Sequence, residues 1–407
     1  MTALAAPIAL PHTVPAGTDF AEELRRLDER IAMHRDTALA PPTDTERVTT
    51  YVDACYRRAL LTGDLEALER VELLIDHGIA LIPHPSDLWL LKARLAFHLH
   101  RLADVAHILD TVAPARNSAE GQTLLADLDV QHGRVGDAVS RYEAAIGKHR
   151  SWAALAGLAW LQFKFGDPAR ADRLYVEAAD ELTAKEMRAF AWLELQRGVL
   201  DLAHGRPEEA ERHYARAARA FSGWWLVDEH RAELLAHQGN LAEAMTLYEG
   251  IAAERPELRP ELHQALGQLY LLAEQPGRAR SHFVQARAGY VDSVRCGGVH
   301  YFHHLADFYS EAMVDGARAV DWARRDLALR ENFSTQAALA WALLRAGHSA
   351  EAAEWMDRAL ASGVKDAHLY AQASAVYQAG GNQAQASRCL ALARAIDPRP
   401  ISFHVHR

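Results

Sequence analysis

The stretch GHSAEAAEWMDRALA, residues 347–361, decides the fold, because its pattern returns in the next segment, GNQAQASRCLALARA, residues 381–395. A glycine, a small residue, a large residue and a second small residue coincide when the two stretches are aligned. They are Gly347, Ala352, Met356 and Ala359 in the first copy, and Gly381, Ala386, Leu390 and Ala393 in the second. The spacing of the last three positions places them on one face of a helix. The stretch is therefore an internal repeat that ends in an amphipathic helix.

The same pattern extends over most of the chain. The small position of each predicted second helix recurs at similar intervals, at Leu68, Val105, Ala138, Ala171, Ala210, Ala244, Ala279, Ala319, Ala352 and Ala386. Each predicted first helix also contains a small residue, as at Ala159, Gly198 and Gly267, where the two helices cross too closely for a larger side chain. We therefore expect about ten helical hairpins, with degenerate copies at Leu68 and Ala319.

A repeat period of about 34 residues resembles that of the tetratricopeptide repeat family. The resemblance covers roughly residues 48–398, although no repeat carries the family's Trp-Leu-Gly-Tyr signature intact. The clearest copies are residues 208–220, 242–256 and 277–288, with Tyr214, Tyr248 and Phe283 at the large position. The resemblance implies an all-α fold, a right-handed α-solenoid in which each hairpin buries its apolar face against its neighbours.

The flanks of the repeats differ in composition from the array. Residues 1–17 carry three prolines and are predicted to be a disordered tail. Residues 18–47 contain apolar residues at helical spacing and are predicted to form an N-terminal capping helix. The superhelix is then expected over residues 48–398, and a C-terminal tail over residues 399–407.

Two intervals between repeats are longer than the others, from Ala171 to Ala210 and from Ala279 to Ala319. Insertions in repeat arrays usually fall in loops on one face. We therefore expect a longer loop in each interval, the second one at residues 289–298, which contain Cys296.

Charge and cysteine content exclude some classes of function. The chain has 44 Lys and Arg against 54 Asp and Glu, a net charge of −10, which disfavours nucleic acid as a partner because phosphate binding requires clustered positive charge. Its three cysteines form no CxxC pair, which is typical of reduced thiols in a cytoplasmic protein. No apolar run approaches the roughly 18 residues of a membrane-spanning helix.

The resemblance also implies that the first helix of each hairpin lines a concave groove. The predicted groove residues are Trp160, Phe163, Trp192, Leu195, Glu229, Glu233, His303, Trp341 and Arg345. An aromatic wall beside an acidic one suits an amphipathic or basic peptide segment. For each aromatic residue, packing between adjacent hairpins is the alternative.

The leading interpretation is a non-catalytic scaffold that binds a protein or peptide segment in this groove. The sequence contains none of the motifs GxGxxG, GxxxxGK[ST], HExxH or GxSxG, which mark common nucleotide, zinc protease and hydrolase sites.

The segment HYFHHLADFY, residues 300–309, leaves a second interpretation open. His300, His304 and Asp307 are spaced to share one helical face, and imidazole and carboxylate groups together bind zinc and other divalent metals. The alternative is therefore a metal-binding solenoid or a metalloenzyme. A third expectation is a homo-oligomer, because terminal hairpins of a solenoid lack a neighbour to cover their apolar face.

Overall fold

The computed structural model describes residues 20–39, 44–255 and 258–400, and every regular element within these ranges is helical. The predicted N-terminal tail, residues 1–17, lies outside the described residues. Residues 401–407 of the predicted C-terminal tail lie outside them as well.

The described residues form 22 helices. In chain order they are α1 Phe20–His34, α2 Thr45–Thr62, α3 Leu65–Leu81, α4 Ser86–His98, α5 Leu102–Thr111, α6 Ala113–Asn117, α7 Ala119–Gln131, α8 Val135–Lys148, α9 Trp152–Phe165, α10 Pro168–Asp180, α11 Met187–Leu202, α12 Pro207–Ala220, α13 Trp225–His237, α14 Leu241–Glu254, α15 Arg259–Leu272, α16 Pro276–Arg295, α17 Phe302–Glu311, α18 Gly316–Leu329, α19 Phe333–Arg345, α20 Ser349–Ala361, α21 Ala367–Ala379 and α22 Gln383–Ile396.

Twenty of these helices pair into ten antiparallel hairpins, which confirms the predicted all-α solenoid. Hairpin 1 is α2 with α3, hairpin 2 is α4 with α5, and hairpins 3 to 10 are the successive pairs from α7 with α8 to α21 with α22. Each predicted small position lies on the second helix of its hairpin. The helices α1 and α6 stand outside the ten pairs.

Close packing of small residues against large ones holds each hairpin together. A Cβ atom added to Gly198 of α11 would lie 2.2 Å from the ring of Tyr214 on α12. The same contact recurs between Gly267 and Phe283, at 2.3 Å. These rings fill the space left by the missing side chain, which explains why the repeat requires a small residue there.

The second long interval is not a loop, which corrects the prediction. The helix α16 continues through Arg295, so only residues 296–301 connect it to α17. Tyr290 on the added turns is fully buried and packs against Tyr301 with ring centroids 4.8 Å apart. Burial of that ring lengthens the helix beyond the repeat. The first long interval does contain a connecting loop, residues 181–186 between α10 and α11.

The helix α1 lies within the segment predicted to cap the array. It buries Phe20, Leu27 and Ile31. The Phe20 amide donates a hydrogen bond to the Ser222 carbonyl at 2.9 Å, far along the chain. The capping role itself stays a prediction.

Contacts between hairpins that are distant in sequence show how the solenoid is wound. The turn within hairpin 3 meets the loop before hairpin 9, where the Asn332 side chain donates to the Gln131 carbonyl at 3.0 Å. The turn within hairpin 4 meets the loop before hairpin 10, where the Lys365 amide donates to the Lys164 carbonyl at 2.7 Å. Because the shift is six hairpins in both cases, one superhelical turn contains about six hairpins.

Similar contacts continue along this line. The Trp225 indole donates to the Leu61 carbonyl of hairpin 1 at 3.0 Å, and the His100 and His303 rings are 5.3 Å apart. Pro398 lies against Gly205 of hairpin 5, and Arg399 donates to the His237 carbonyl of hairpin 6 at 3.4 Å. We call this line, where the turns within hairpins 1 to 6 meet the following superhelical turn, the seam.

Candidate functional site

The two aromatic groove residues of hairpin 4 are buried, Trp160 at the seam and Phe163 beside His204 of hairpin 5. Trp160 is 6% exposed, and its ring centroid lies 6.4 Å from that of Phe333, the first residue of hairpin 9. Phe163 is also buried, with the Lys164 ammonium 4.3 Å from its ring centroid. Both side chains belong to the hydrophobic core.

The predicted groove residues of hairpin 5 differ in exposure. Leu195 is fully buried in the core. Trp192 is half-buried, and its ring meets the edge of the Trp152 ring at a centroid distance of 6.0 Å. Only Trp192 of this pair therefore presents surface to solvent.

The two acidic groove residues of hairpin 6 lie one helical turn apart on α13. Glu229 and Glu233 are 5% and 1% exposed. Burial, and then the charges of these two carboxylates, raise the pKa of the Tyr248 hydroxyl well above its ordinary value. The carboxylates therefore make this part of the interior electronegative.

Hairpins 8 and 9 hold the remaining groove residues. His303 on α17 is partly buried beside His304, with ring centroids 4.1 Å apart. The half-buried Trp341 donates its indole N–H to the Glu311 carboxylate. Arg345 is exposed, and its Nε donates to the Ser310 carbonyl at 2.9 Å.

The three residues predicted to bind a metal do not share one helical face. His300 lies in the turn before α17, which begins only at Phe302. His304 stacks on the Tyr290 ring at 5.5 Å, and Asp307 accepts a hydrogen bond from the Gln264 amide at 2.7 Å. Within the described ranges, no group of three or more His, Cys, Asp or Glu side chains is arranged to hold a metal ion.

Burial favours the neutral form of these imidazoles. It lowers the pKa of His300 to about 4 and that of His303 well below its ordinary value. The pKa of His100, across the seam, is lowered in the same way. Neutral imidazoles can bind metals, but the metal site stays an untested prediction.

An exposed apolar patch lies on the edge of the solenoid beyond the seam. In the part of the chain that the structure describes, nine large hydrophobic residues are exposed, and four of them lie on the turns within hairpins 7 and 8. These four are Leu271, Leu272, Met313 and Val314, at 44%, 55%, 42% and 61% exposure. The two pairs lie at the turns of two consecutive hairpins, and we call these four residues together the free-edge patch.

The sequence analysis missed both the free-edge patch and the polar residues of the seam. The seam residues include Gln131, Lys164, Arg330, Asn332 and Asp366, which bond to partners in distant hairpins. The repeat period describes contacts between neighbouring hairpins only. The signal for the free-edge patch is present in the sequence as the apolar pairs LL and MV beside turns that are otherwise polar.

Comparisons with known proteins agree with the repeat architecture. Residues 123–185 and 195–258 match the family model described as tetratricopeptide repeat. No curated protein matches the chain. In the described part of the chain, no helix combines the length and the apolar character that crossing a membrane requires.

Two solved structures are similar in part. A tetratricopeptide repeat protein from Parabacteroides merdae ATCC 43184 is 17% identical, with a TM-score of 0.37, over 61% of this chain and 93% of its own. The APC/C hetero-tetramer Cut9–Hcn1 is 14% identical, with a TM-score of 0.41, over 87% of this chain and 75% of its own. At these scores neither structure bears on function. The two matched segments are therefore tetratricopeptide repeats, and the ten stacked hairpins continue the same helical-repeat architecture along the described chain.

Proposed function

We propose that the protein is a non-catalytic scaffold that binds an apolar, partly basic segment of a partner protein, which reaches the concave face at hairpins 7 to 9. The repeat architecture supports a role in protein interaction. The observation that carries the finer proposal is the free-edge patch, because it exposes four large apolar side chains at two consecutive turns, and exposed apolar patches mark interaction sites.

Two of the predicted groove residues that present surface belong to hairpin 9, and Trp192 of hairpin 5 is half-buried as well. Of the predicted groove residues, Arg345 is exposed and Trp341 is half-buried, and both belong to hairpin 9. Trp160, Phe163, Leu195, Glu229 and Glu233 are buried. A partner that enters beside hairpins 7 to 9 therefore meets surface that is already open.

Charge around the patch favours a basic partner. Glu274 is exposed beside Leu272, and Met313 and Val314 are flanked by Glu311, which accepts from Trp341, and by Asp315, which pairs with Arg318. The whole chain carries a net charge of −10. Complementary charge speeds association and disfavours acidic partners.

The test compares two double variants in cells of the source organism. Leu272→Asp with Met313→Asp places charge in the free-edge patch, and Met33→Asp with Leu73→Asp makes the same changes at residues that are 74% and 71% exposed elsewhere. After in-cell crosslinking, we expect at least a fivefold loss of specific partners for the first pair only. Equal recovery of the same partners with both double variants would contradict the proposal.

The metal-binding and homo-oligomer alternatives have separate measurements. Plasma mass spectrometry of dialysed protein, with His300→Ala as the comparison, supports a metal site only if a stoichiometric metal is found and then lost. Sedimentation velocity at several concentrations measures self-association.

A further inference from the structure

The turn within most hairpins contains one residue in the left-handed backbone region. Glycine holds this position in six hairpins, at Gly63, Gly133, Gly205, Gly239, Gly347 and Gly381. In hairpins 2, 7 and 8 the same position is held by His100, Glu274 and Val314, with φ values of +58°, +57° and +51°. This backbone region strains residues other than glycine, and a β-branched valine most of all. A contact made by the side chain has to offset that strain.

The strained residue of hairpin 2 makes such a contact across the seam. His100 is 7% exposed, and its ring centroid lies 5.3 Å from that of His303 on the following superhelical turn. In this turn the left-handed residue therefore serves the surface that covers the turn.

The strained residues of hairpins 7 and 8 have no such cover in the described chain. With about six hairpins in a superhelical turn, these turns would face hairpins 13 and 14, whereas the described residues form ten. Glu274 is exposed, and Val314 is 61% exposed. Gly347 and Gly381, in hairpins 9 and 10, have no atom within 4 Å of an added Cβ. An open turn thus keeps glycine elsewhere, and only hairpins 7 and 8 combine strain with exposed apolar side chains.

The turn within hairpin 8 is also one residue longer than its neighbour. The Asp315 amide donates to the Tyr309 carbonyl, six residues back, at 2.8 Å. The corresponding His348 amide of hairpin 9 donates to the Leu343 carbonyl, five residues back, at 2.9 Å. The extra residue lengthens the exposed segment that contains Val314. Insertions in repeat arrays often lie on the binding face.

Three covered turns show which chemistry fits a hairpin turn. In each, the carbonyl two residues before the left-handed position accepts a hydrogen bond from a side-chain N–H across the seam. The donors are the Trp225 indole, the Asn332 amide and the Arg399 guanidinium, which bond to the carbonyls of Leu61, Gln131 and His237 at 3.0, 3.0 and 3.4 Å. Carbonyls at the end of a helix carry partial negative charge, which favours such donors.

The corresponding carbonyls of hairpins 7 and 8 belong to Leu272 and Ala312. The Leu272 side chain is 55% exposed, and Met313, next to Ala312, is 42% exposed. A segment that covers these turns therefore meets apolar side chains beside hydrogen-bond acceptors. The carboxylate of Glu274 adds a preference for a guanidinium among the possible donors.

We propose that a partner segment covers the turns within hairpins 7 and 8 as the following superhelical turn covers those of hairpins 1 to 6. Glu274 and Val314 contact this segment as His100 contacts His303. The segment places an apolar side chain against Val314 and an indole, amide or guanidinium N–H at the carbonyls of Leu272 and Ala312. This assignment rests on the proposed function, to which it adds the residues that select the partner.

Val314→Gly separates partner binding from folding, because glycine relieves the strain and removes the side chain. We expect hydrogen exchange of the Asp315 amide to slow at least threefold, while recovery of the partners crosslinked in cells falls at least fivefold. Gly347→Val is the matched control, since it adds a strained, exposed valine to the turn within hairpin 9. It should speed exchange of the His348 amide and leave partner recovery unchanged.

Two outcomes of this comparison would overturn the assignment. Faster exchange of the Asp315 amide in Val314→Gly would contradict the strain. Full partner recovery in Val314→Gly, with partners lost in Leu272→Asp/Met313→Asp, would remove Val314 from the site and leave the proposed function intact. Full recovery in both variants would contradict the proposed function as well.

Site-specific crosslinking identifies the segment itself. The probe is the photoreactive residue p-benzoylphenylalanine, placed at position 314 and, as the control, at position 284, where Val284 is 54% exposed on α16. We expect a crosslinked peptide of another protein at position 314 only, with Trp, Asn or Arg beside an apolar residue. No specific peptide, an acidic one, or one from a second copy of this chain would overturn the proposed partner chemistry.

Discussion

At the scale of single residues, a buried carboxyl group shows how the interior sets protonation. Asp127 on α7 is 7% exposed and accepts a hydrogen bond from the Tyr142 hydroxyl. Burial raises the pKa of Asp127 to about 7, although the hydrogen bond acts in the opposite direction. Glu261 behaves similarly, with its pKa raised to about 7 mainly by burial.

This shift predicts a pH dependence of stability. A group whose pKa is raised on folding stabilises the fold fully below its unfolded pKa, here 3.8, and loses that contribution as the pH rises through about 7. Asp127→Asn cannot ionise and should retain the hydrogen bond from Tyr142. We expect the stability advantage of the variant over the wild type to grow by about 3 kcal/mol between pH 5 and pH 8, because each pKa unit corresponds to about 1.36 kcal/mol.

Urea denaturation at the two pH values measures this difference. Other titrating groups, such as Glu261, are present in both proteins and cancel in the comparison. A constant difference between the two proteins from pH 5 to pH 8 would contradict the assigned shift.

At the scale of elements, the start of α21 combines a helix cap with an ion pair across the seam. Asp366 accepts from the Leu369 amide at 3.0 Å, which caps the helix, and its carboxylate lies 2.7 Å from the Lys164 ammonium. The Lys164 side chain is only 8% exposed. Its charge and the hydrogen bonds hold the pKa of Asp366 well below its usual range despite the opposing effect of burial.

Asp366→Asn separates these two roles, because asparagine caps helices as well as aspartate does. The variant leaves the Lys164 charge buried without its counterion, which we expect to cost about 3 kcal/mol. The double variant Lys164→Met/Asp366→Asn removes both charges, so most of that loss should be recovered. Guanidinium denaturation measures the free energy of unfolding of the wild type and the two variants. A double variant no more stable than Asp366→Asn would contradict the stabilising role of the buried ion pair.

Elements built from local contacts were predictable, and elements set by distant contacts were not. The ten second helices were located from the recurrence of Ala352 and its equivalents, and Gly198 and Gly267 mark where a first helix crosses its second helix closely. The extension of α16 depends on the burial of Tyr290 against Tyr301, which a repeat period does not encode. The short helix α6 lies between two hairpins and has no counterpart in the other repeats.

At the scale of the whole molecule, the seam couples hairpins that are far apart in sequence. In an open solenoid each repeat contacts only its neighbours, and stability is a sum of local terms. Here Gln131, Lys164 and Gly205 contact residues one superhelical turn away. Contacts between successive superhelical turns therefore stabilise the solenoid in addition to the contacts between neighbouring hairpins.

The contacts across the seam predict that hairpins one superhelical turn apart unfold locally together. At low denaturant concentration, hydrogen exchange in hairpins 4 and 10 should report one shared opening free energy in the wild type. In Gly133→Asn/Gly205→Asn the added side chains clash across the seam with Glu331 and Pro398, so the two hairpins should report separate opening free energies. The Gly347→Asn/Gly381→Asn variant is the control and should keep the coupling. If the two hairpins opened independently in the wild type, the seam would contribute little coupling free energy between them.

For the predicted groove residues, too, the features set by local contacts were predictable and those set by distant contacts were not. Which residues lie on first helices was predictable from the register, and Trp341 and Arg345 do present surface. Packing between adjacent hairpins was the stated alternative for the aromatic residues, whereas the burial of Trp160 against Phe333 was not predictable, because it depends on how tightly the solenoid winds. That winding follows from small angles between hairpins, which add up over six repeats and leave no local sequence signature.

The seam also restricts how the gene encoding this protein can change in length. An open array tolerates gain or loss of one unit, because each unit only needs a neighbour. Here a duplication between hairpins 4 and 9 would move Asn332 one hairpin away from Gln131 and Asp366 one hairpin away from Lys164. We therefore expect orthologues to vary in repeat number at the ends of the array rather than between the paired contacts.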